Sequence, residues 1–400
     1  MAKAPPKHPG SPSSPVTPVG RKIKESTRIV LAVAAGGRCE FRGCNQFLFE
    51  HPLTLKAGNY SENAHIVAFS QEGPRGESSA RPRDINALSN LMLLCKTDHT
   101  HIDKNPSDFP VDALKSYKAE HENRIRHVTG LAPNMRTTFV QLKAKIGGDA
   151  VGIPIHNVTE AVAPRYPSDT TGYVINLTDL EHDDDAFVAS AEKTIATKVR
   201  RLYEGGSDVQ ETRHISLFAL APIHLLVYLG TRLSNKMTVD FFQLHRDGEN
   251  PWAWKKTAGP AVKYTSRVLQ RGTNNLQAAL VLSLSGAIDL SQLPAQVTRQ
   301  HTVYEITLAR RTPSTDFLRR RKDLQAFRRA YRDTLAKIRK NHPRVREIEL
   351  FPAVPAPAAI VCGYDLLPKI DPLLRVYDND RNRGGFTLRT TINPNDKQYD

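Results

Sequence analysis

Within fourteen positions, Asn90–Asp103 (NLMLLCKTDHTHID), this chain places an Asn, a Cys, an Asp, two His and a final Asp behind an apolar run. Upstream stand Cys39 and Cys44 in RCEFRGC, and then His65 in NAHIVAF. A structural zinc site takes four ligands, often as two close pairs that the fold brings together. Cys39 and Cys44, four residues apart, form one such pair, Cys95 supplies a third thiolate, and Asp98 or His101 the fourth ligand. An imidazole titrates near neutral pH, which suits His65 to proton transfer. A lone His is more often a structural residue, so it is the joint order of these groups that points to chemistry.

Elements must hold those groups in place. The spacing predicts a helix over residues 21–38 with Ile23, Ile29, Val30 and Val33 on one side, stopping at Gly36-Gly37, then a knuckle-like turn at Cys39–Cys44. Gln71–Arg83 is turn-rich, and its Gly73-Pro74-Arg75-Gly76 could bring Arg75 to a phosphate or be a plain turn. Phe109–His127 is helical by period, with Leu114, Tyr117, His121 and Ile125 on one face.

At 400 residues two domains are expected, and a net charge of +15 with a pI of 9.7 points to a polyanionic partner. Four Cys, three of them with metal-like spacing, fit a reducing cytoplasm better than a disulfide framework. There is no apolar run of membrane-spanning length. Residues 1–20 are Pro/Ser-rich and basic, lack the apolar segment of a secretory signal, and are expected to be disordered.

From Gly172 onward strands alternate with helices: YVINLTDL, then a helix over Asp185–Tyr203 entered through HDDD, a strand His214–Leu220, a helix Pro222–Leu233, and strands Met237–Leu244, Leu276–Leu284 and Thr302–Leu308. A long helix over Ser314–Lys340 and a strand Glu347–Phe351 follow. This alternation predicts a Rossmann-like α/β layer, which binds ligands at the carboxyl ends of its strands. Those ends carry Pro222 and His224, His245 and Arg246, and Ser285 with Gly286, the last as a close-approach position. Trp252 and Trp254, beside Lys255 and Lys256, could stack on a base or simply close the core. Arg310–Arg346 holds 14 Lys/Arg against 3 Asp, with Leu324, Phe327, Tyr331, Leu335 and Ile338 as a core-facing stripe. Its basic face is either solvated or a guide for DNA.

The order Cys pair, His65, Asn90, Cys95, His99 resembles the HNH nucleases, over about residues 25–125. That resemblance implies a ββα-metal fold with a structural Zn²⁺, and His65 as the general base that deprotonates the attacking water. Asn90 would orient the His65 ring or the metal site, and His99 would help bind a catalytic Mg²⁺ or similar divalent ion. Two positions depart from the family. Ala64 stands where many members have an Asp metal ligand, with Glu62 or Asp103 as substitutes, and Asp98 stands where Cys or His is usual.

The later stretches HISLFALAPIHLLVYLGTRL, FFQLHRDGENPWAW, LVLSLSG and LFPAVPAPAAIVCGYDLLPKIDPLLRVYD resemble a SAVED domain, two fused CARF-like Rossmann units that sense cyclic oligonucleotides. The expected architecture is therefore an α+β HNH domain over 21–130, followed by a linker and α/β SAVED domain over 131–400. HNH followed by SAVED resembles the effector nucleases of CBASS anti-phage systems. That resemblance implies a cytoplasmic endonuclease, activated when a cyclic di- or trinucleotide from a partner synthase drives homo-oligomerisation, that degrades double-stranded DNA with little sequence preference. The rivals are a modification-dependent restriction nuclease and a non-catalytic, zinc-stabilised DNA-binding regulator.

Overall fold

The computed structural model describes Gly20 and residues 22–146, 149–150, 153–169, 171–180, 184–204, 214–233, 237–246, 250–255, 259–367, 370–380 and 385–392. The Pro/Ser-rich tail before Gly20, Gly147-Gly148, the His182-Asp183 part of the acidic helix entry, and Lys256 lie outside them. The chain divides into two compact units, Met1–Ala132 and Pro133–Asp400.

The N-terminal unit is small and built around one hairpin. Strands β1 (Ser61–His65) and β2 (Leu91–Cys95) pair antiparallel, with Ser61 opposite Cys95 and His65 opposite Leu91. All five β2 residues are buried, because helices α1 (Glu25–Ala34) and α2 (Lys96–Lys104) and the Cys39–Cys44 turn cover a strand that has only one partner. Helix α3 (Val111–Thr129) completes the unit, burying Leu114 and His121, with Tyr117 and Ile125 half-buried. Gly36 and Gly37 end α1 in the left-handed region at φ +61 and +67, where glycine alone avoids a Cβ penalty.

The expected inward face of α1 is wrong. Leu31 and Ala35 are the residues buried, while Ile29, Val30 and Val33 are exposed, Val33 by 71 %. Eight consecutive positions offered two apolar stripes, Ile29-Val30-Val33 and Leu31-Ala35, and periodicity could not choose between them.

The C-terminal unit holds two half-sheets of one design. The first contains β3 (Arg136–Lys143), the short pair β4 (Lys145–Ile146) and β5 (Asp149–Ala150), α4 (Ile155–Val162), β6 (Tyr166–Pro167), β7 (Tyr173–Asn176), α5 (Asp184–Glu204), β8 (His214–Leu220), α6 (Ile223–Arg232) and β9 (Thr238–Phe241). The second contains β10 (Tyr264–Gln270), β11 (Gln277–Ser283), α7 (Ala295–Gln300), β12 (Thr302–Leu308), α8 (Arg321–Asn341), β13 (Glu347–Ala353), α9 (Ala356–Tyr364), β14 (Leu373–Asp380) and β15 (Gly385–Ile392). The parallel order β7-β3-β8-β9 of the first recurs as β12-β11-β13-β14 in the second, with antiparallel β10 and β15 added at its edges. Right-handed crossover geometry requires a helix between parallel neighbours, and α5, α6, α8 and α9 serve as those crossovers.

The two halves meet where α6 packs on α9. Each helix follows a proline N-cap, Pro222 or Pro355, and each carries a glycine at the crossing. A Cβ on Gly230 would collide with the Ile360 carbonyl, and one on Gly363 with the Val227 carbonyl. The helix axes approach this closely only because both side chains are absent. Helix α9 escaped the sequence pattern because it is apolar on every side, with Pro357 to Gly363 all buried. The stripe on α8 does lie inward, from Leu324 through Ile338. That helix starts at Arg321 rather than Ser314, since the Ser314 N–H donates to the Leu284 carbonyl (3.0 Å) and holds Ser314–Arg320 as a loop.

Candidate active site and ligand crevice

The Cys39–Cys44 turn is shaped by its backbone. Cys44 N–H donates to Phe41 O (3.1 Å), Cys39 N–H donates to Gln46 O (2.9 Å), and Gly43 (φ +90) and Asn45 (φ +55) reverse the chain. Glu40 ties this turn to the hairpin, its N–H donating to Leu93 O (2.9 Å) and its carboxylate accepting from Leu93 N–H (2.6 Å). Cys95 ends β2 and caps α2, its sulfur accepting from the Asp98 N–H. The first turn of α2 thereby folds Asp98 back onto the sulfurs. The ligand atoms of Cys39, Cys44, Cys95 and Asp98 all lie within 4.8 Å of one another, and Asp98 Oδ2 is 3.2 Å from Cys39 Sγ and 3.0 Å from Cys95 Sγ.

Burial pushes the Cys95 thiol up to about 11 and the Cys39 thiol higher still. Burial opposes ionisation of Asp98 too, but hydrogen bonds from Cys44, Cys95 and Cys39 hold its carboxyl below the usual range. One carboxylate accepting from three thiols is a set that a thiophilic divalent ion would convert to three thiolates and an oxygen ligand. His101, the alternative fourth ligand, stands elsewhere: its ring packs edge-on against Phe109 (5.0 Å) and Phe41 (6.1 Å), and its carbonyl accepts from Asn105.

His65 ends β1, half-buried, with Phe69 at 6.2 Å. Its Nε2 is 3.0 Å from Asn86 Oδ1. The Asn86 amide is oriented by its other end, where Nδ2 donates to Gly20 O (2.9 Å). Oδ1 therefore faces the ring as an acceptor, Nε2 carries the proton, and Nδ1 is left basic.

Asn90 does not orient the ring. It is 2 % exposed, its Oδ1 accepts from Val67 N–H (3.0 Å), and its Nδ2 donates to Val67 O (3.0 Å) and Ile85 O (2.9 Å), so it pins the segment following His65. Asn86 was missed in the sequence because nothing but its distance from His65 in space marks it.

One turn beyond Asp98, His99 Nε2 lies 3.3 Å from Asp103 Oδ2. The hydrogen bond to Asp103 raises the His99 pKa, with Glu62 adding to the shift, so both substitutes for the Asp missing at position 64 stand near His99. His99 and Arg75 in turn hold Asp103 below its ordinary value against the effect of burial. Arg75 is not a free phosphate hook. Its side chain is 5 % exposed, donating to Ile66 O (2.7 Å), Ile102 O (2.9 Å) and Asp103 Oδ1 (3.0 Å).

In the C-terminal unit the residues predicted for ligand binding divide. Trp252 is 2 % exposed and packs edge-on to Phe218 at 5.2 Å, so it closes the core and offers no stacking face. Trp254 is half-buried, its indole N–H donating to Phe241 O (3.1 Å), with His245 at 6.0 Å. His224, two residues into α6, is buried with Nδ1 3.0 Å from Asp378 Oδ2 on β14, joining the two halves. Pro222 is the α6 N-cap, His245 is buried, and Arg246 is exposed. Ser285 N–H donates to Ala353 O (2.7 Å), and a Cβ on Gly286 would meet nothing, so the fold itself does not require that glycine by close approach.

A cavity of about 560 Å³ opens beside two of these segments. It is lined by Gly259, Val262, Arg311, Thr312, Ser314, Asp316, Phe317 and Arg319. Backbone hydrogen bonds join its wall to the end of β11 (Ser314 N–H to Leu284 O) and to the tryptophan segment (Lys255 N–H to Arg319 O, 3.0 Å). The sequence search looked at strand ends and passed over this loop, taking it for the start of α8.

Comparison with known proteins agrees with this division. Residues 39–105 match the model of an HNH endonuclease family, and residues 195–392 match that of the SMODS-associated and fused to various effectors sensor domain, SAVED. No curated protein matches the chain. Among solved structures, the Acinetobacter baumannii Cap4 SAVED/CARF-domain containing receptor with the cyclic trinucleotide 3'3'3'-cAAA aligns at 14 % identity and a TM-score of 0.42, over 74 % of this chain and 60 % of that one. The Moraxella osloensis Cap4 receptor aligns at 10 % and 0.36, over 79 % and 71 %. The chain thus spans about 60 % of the length of the first of these.

Proposed function

From a chain that joins an HNH endonuclease domain to a SAVED sensor domain, we propose a metal-dependent DNA endonuclease switched on by a cyclic oligonucleotide. The observation that carries the nuclease half is the Gly20–Asn86–His65 relay on the ββα hairpin. Asn86 keeps the proton on Nε2, and Nδ1 of His65 takes the proton from water as it attacks the scissile phosphate. His99 and Asp103, with Glu62 near them, are the groups that would hold a divalent ion such as Mg²⁺, which supplies charge neutralisation at the phosphate when bound. Cys39, Cys44, Cys95 and Asp98 would hold a structural Zn²⁺ that locks α2 to the hairpin.

For the sensor half, the substrate-side expectation is a cyclic di- or trinucleotide in the crevice at the strand carboxyl ends, near Pro222, His224, His245, Arg246, Trp254, Ser285 and Gly286. A cyclic trinucleotide bound to a Cap4 SAVED/CARF receptor is in keeping with that ligand class. Activation follows as a population shift: the ligand binds an assembled form better than the free chain, and only the assembled form cleaves. The exposed Ile29, Val30 and Val33 face of α1 is apolar surface for which self-association offers a partner. The partners are then double-stranded DNA, a cyclic oligonucleotide made by a cognate synthase, and further copies of this chain. The setting would be the cytoplasm of a bacterium defending against phage, and no helix among the described residues is long and apolar enough to cross a membrane.

The test is plasmid cleavage with Mg²⁺, with and without a panel of cyclic di- and trinucleotides, beside His65→Ala. Cleavage should appear only with one or a few nucleotides and fall by about 10²–10⁴-fold in the variant. Full-rate cleavage without nucleotide would remove the gating and favour a restriction nuclease. DNA binding without cleavage under every condition would favour a regulator.

A further inference from the structure

The loop between β12 and α8 is built to present cations to the cavity beside it. Arg310 adopts φ +60, a conformation that non-glycine residues seldom take, and turns the chain away from the strand. Ser314 then anchors the loop to the β11 end through the Leu284 carbonyl. Of the arginines that follow, Arg320 is committed to Asp323 (2.8 Å) and the Gly259 carbonyl (3.0 Å), and Arg321 to Asp240 (2.9 Å). Those two brace the loop and are not available to a ligand.

Arg311 differs. It lines the cavity, is exposed, and has no ion-pair partner among the described residues. Arg319, also lining it, donates through Nε to the Asp316 carbonyl (3.2 Å) and has a loose 3.9 Å contact with the Asp316 carboxylate. That carboxylate is 70 % exposed and already accepts from Ser314 Oγ (2.6 Å). The cavity thus holds two guanidiniums against one solvent-facing acid, with the Thr312 hydroxyl beside them and buried Phe317 and Val262 as an apolar floor. A volume of about 560 Å³ exceeds what a bare anion fills and lies within the range of small-molecule pockets. Planar guanidiniums pair with phosphate oxygens two at a time, and an apolar floor suits the sugar or base attached to them.

We propose that this cavity binds a phosphate group of a nucleotide ligand, with Arg311 and Arg319 on the phosphate oxygens and Phe317 and Val262 under the attached nucleoside. The assignment rests on the proposed sensing of a cyclic oligonucleotide, and it moves the phosphate contacts from the predicted strand ends to the β12–α8 loop.

The experiment uses the full chain and follows thermal unfolding by tryptophan fluorescence, which reports on the C-terminal unit because both Trp residues lie there. Inorganic pyrophosphate is titrated first. The wild type should show a saturable rise in Tm, and Arg311→Ala should need about tenfold more pyrophosphate for half the effect. Arg344→Ala, an exposed arginine outside the cavity, should match the wild type. No saturable rise, or the same curve in Arg311→Ala as in wild type, overturns the pocket. The cyclic nucleotide panel is then run in the same assay and in DNA cleavage. Competition with pyrophosphate in wild type and an activation curve displaced about tenfold in Arg311→Ala are the expected results. Nucleotide activation that is equal in both proteins overturns this inference and leaves the gated nuclease standing. Pyrophosphate binding through Arg311 with no nucleotide competing overturns the nucleotide assignment and counts against the sensing reading as well.

Discussion

The two units hold themselves together by different means. In the N-terminal unit the core is a single cluster around a two-stranded hairpin, and polar atoms carry much of the organisation: Cys–Asp contacts, Glu40 on Leu93, Arg75 across Ile66 and Ile102, Asn90 on Val67 and Ile85. In the C-terminal unit one continuous apolar core spans both half-sheets, and its most demanding contact is the crossing of two helices at glycine. A small domain buries too little surface to stand on apolar burial alone, whereas a 268-residue unit buries a larger share of its chain. The difference predicts which perturbation each unit will not survive.

Metal removal should divide them most sharply. Structural zinc contributes on the order of 10–16 kcal/mol in isolated zinc-finger peptides. Chelation, or Cys39→Ser, should abolish the calorimetric transition of the N-terminal unit while tryptophan fluorescence, confined to the other unit, shows an unchanged midpoint. An N-terminal transition that survives both treatments would mean that the Cys–Asp cluster is merely packed. The converse perturbation is Gly363→Ala. Its Cβ would meet the Val227 carbonyl on a neighbouring helix backbone, which cannot move aside as a side chain can. Overpacking of this kind costs about 3 kcal/mol. The fluorescence midpoint in urea should fall accordingly, with the N-terminal transition unmoved.

The same contrast explains what could be read from the sequence. Cys39, Cys44, Cys95 and Asp98 were legible because a metal-type cluster demands particular residue types at particular spacings, and those four do converge. The parallel strands and α8 were legible from their periods. The α1 face was not, since Ile29-Val30-Val33 and Leu31-Ala35 both satisfy a helical stripe and only the contacts with β2 select the second. Asn86 and Arg311 were illegible for another reason. An Asn in a loop and an Arg in a basic run are common, and each becomes distinctive only through a neighbour far away in sequence, His65 for one and the Leu284-anchored cavity wall for the other.

Two asparagines near His65 sharpen the comparison within the N-terminal unit. Asn90→Ala leaves a buried N–H and two buried carbonyls without their side-chain partner, which costs about 2–3 kcal/mol. Asn86→Ala removes only the contact that fixes the His65 tautomer, so the fold should hold while the cleavage rate falls about tenfold, equivalent to ~1.4 kcal/mol in the barrier. The pair is measured by calorimetry and by single-turnover cleavage. Equal stability losses in both variants would reduce Asn86 to a structural residue.

The smallest effect expected concerns a buried acid in the C-terminal unit. Burial raises the Glu192 pKa above its ordinary 4.5, although Thr390 Oγ1 donates to it and His224 and Arg232 attract its charge. A raised folded-state pKa means that the folded chain binds the proton more tightly than the unfolded one. The stabilising contribution is therefore complete below about pH 4.5 and is lost as pH rises through the folded-state value. Glu192→Gln keeps the neutral form at every pH. Its fluorescence Tm should lie slightly above wild type at pH 7, and the gap should close as pH is lowered through that range. A variant less stable than wild type at pH 7 would show that the attraction of His224 and Arg232 outweighs burial, and that this unit, like its neighbour, relies on a buried charge.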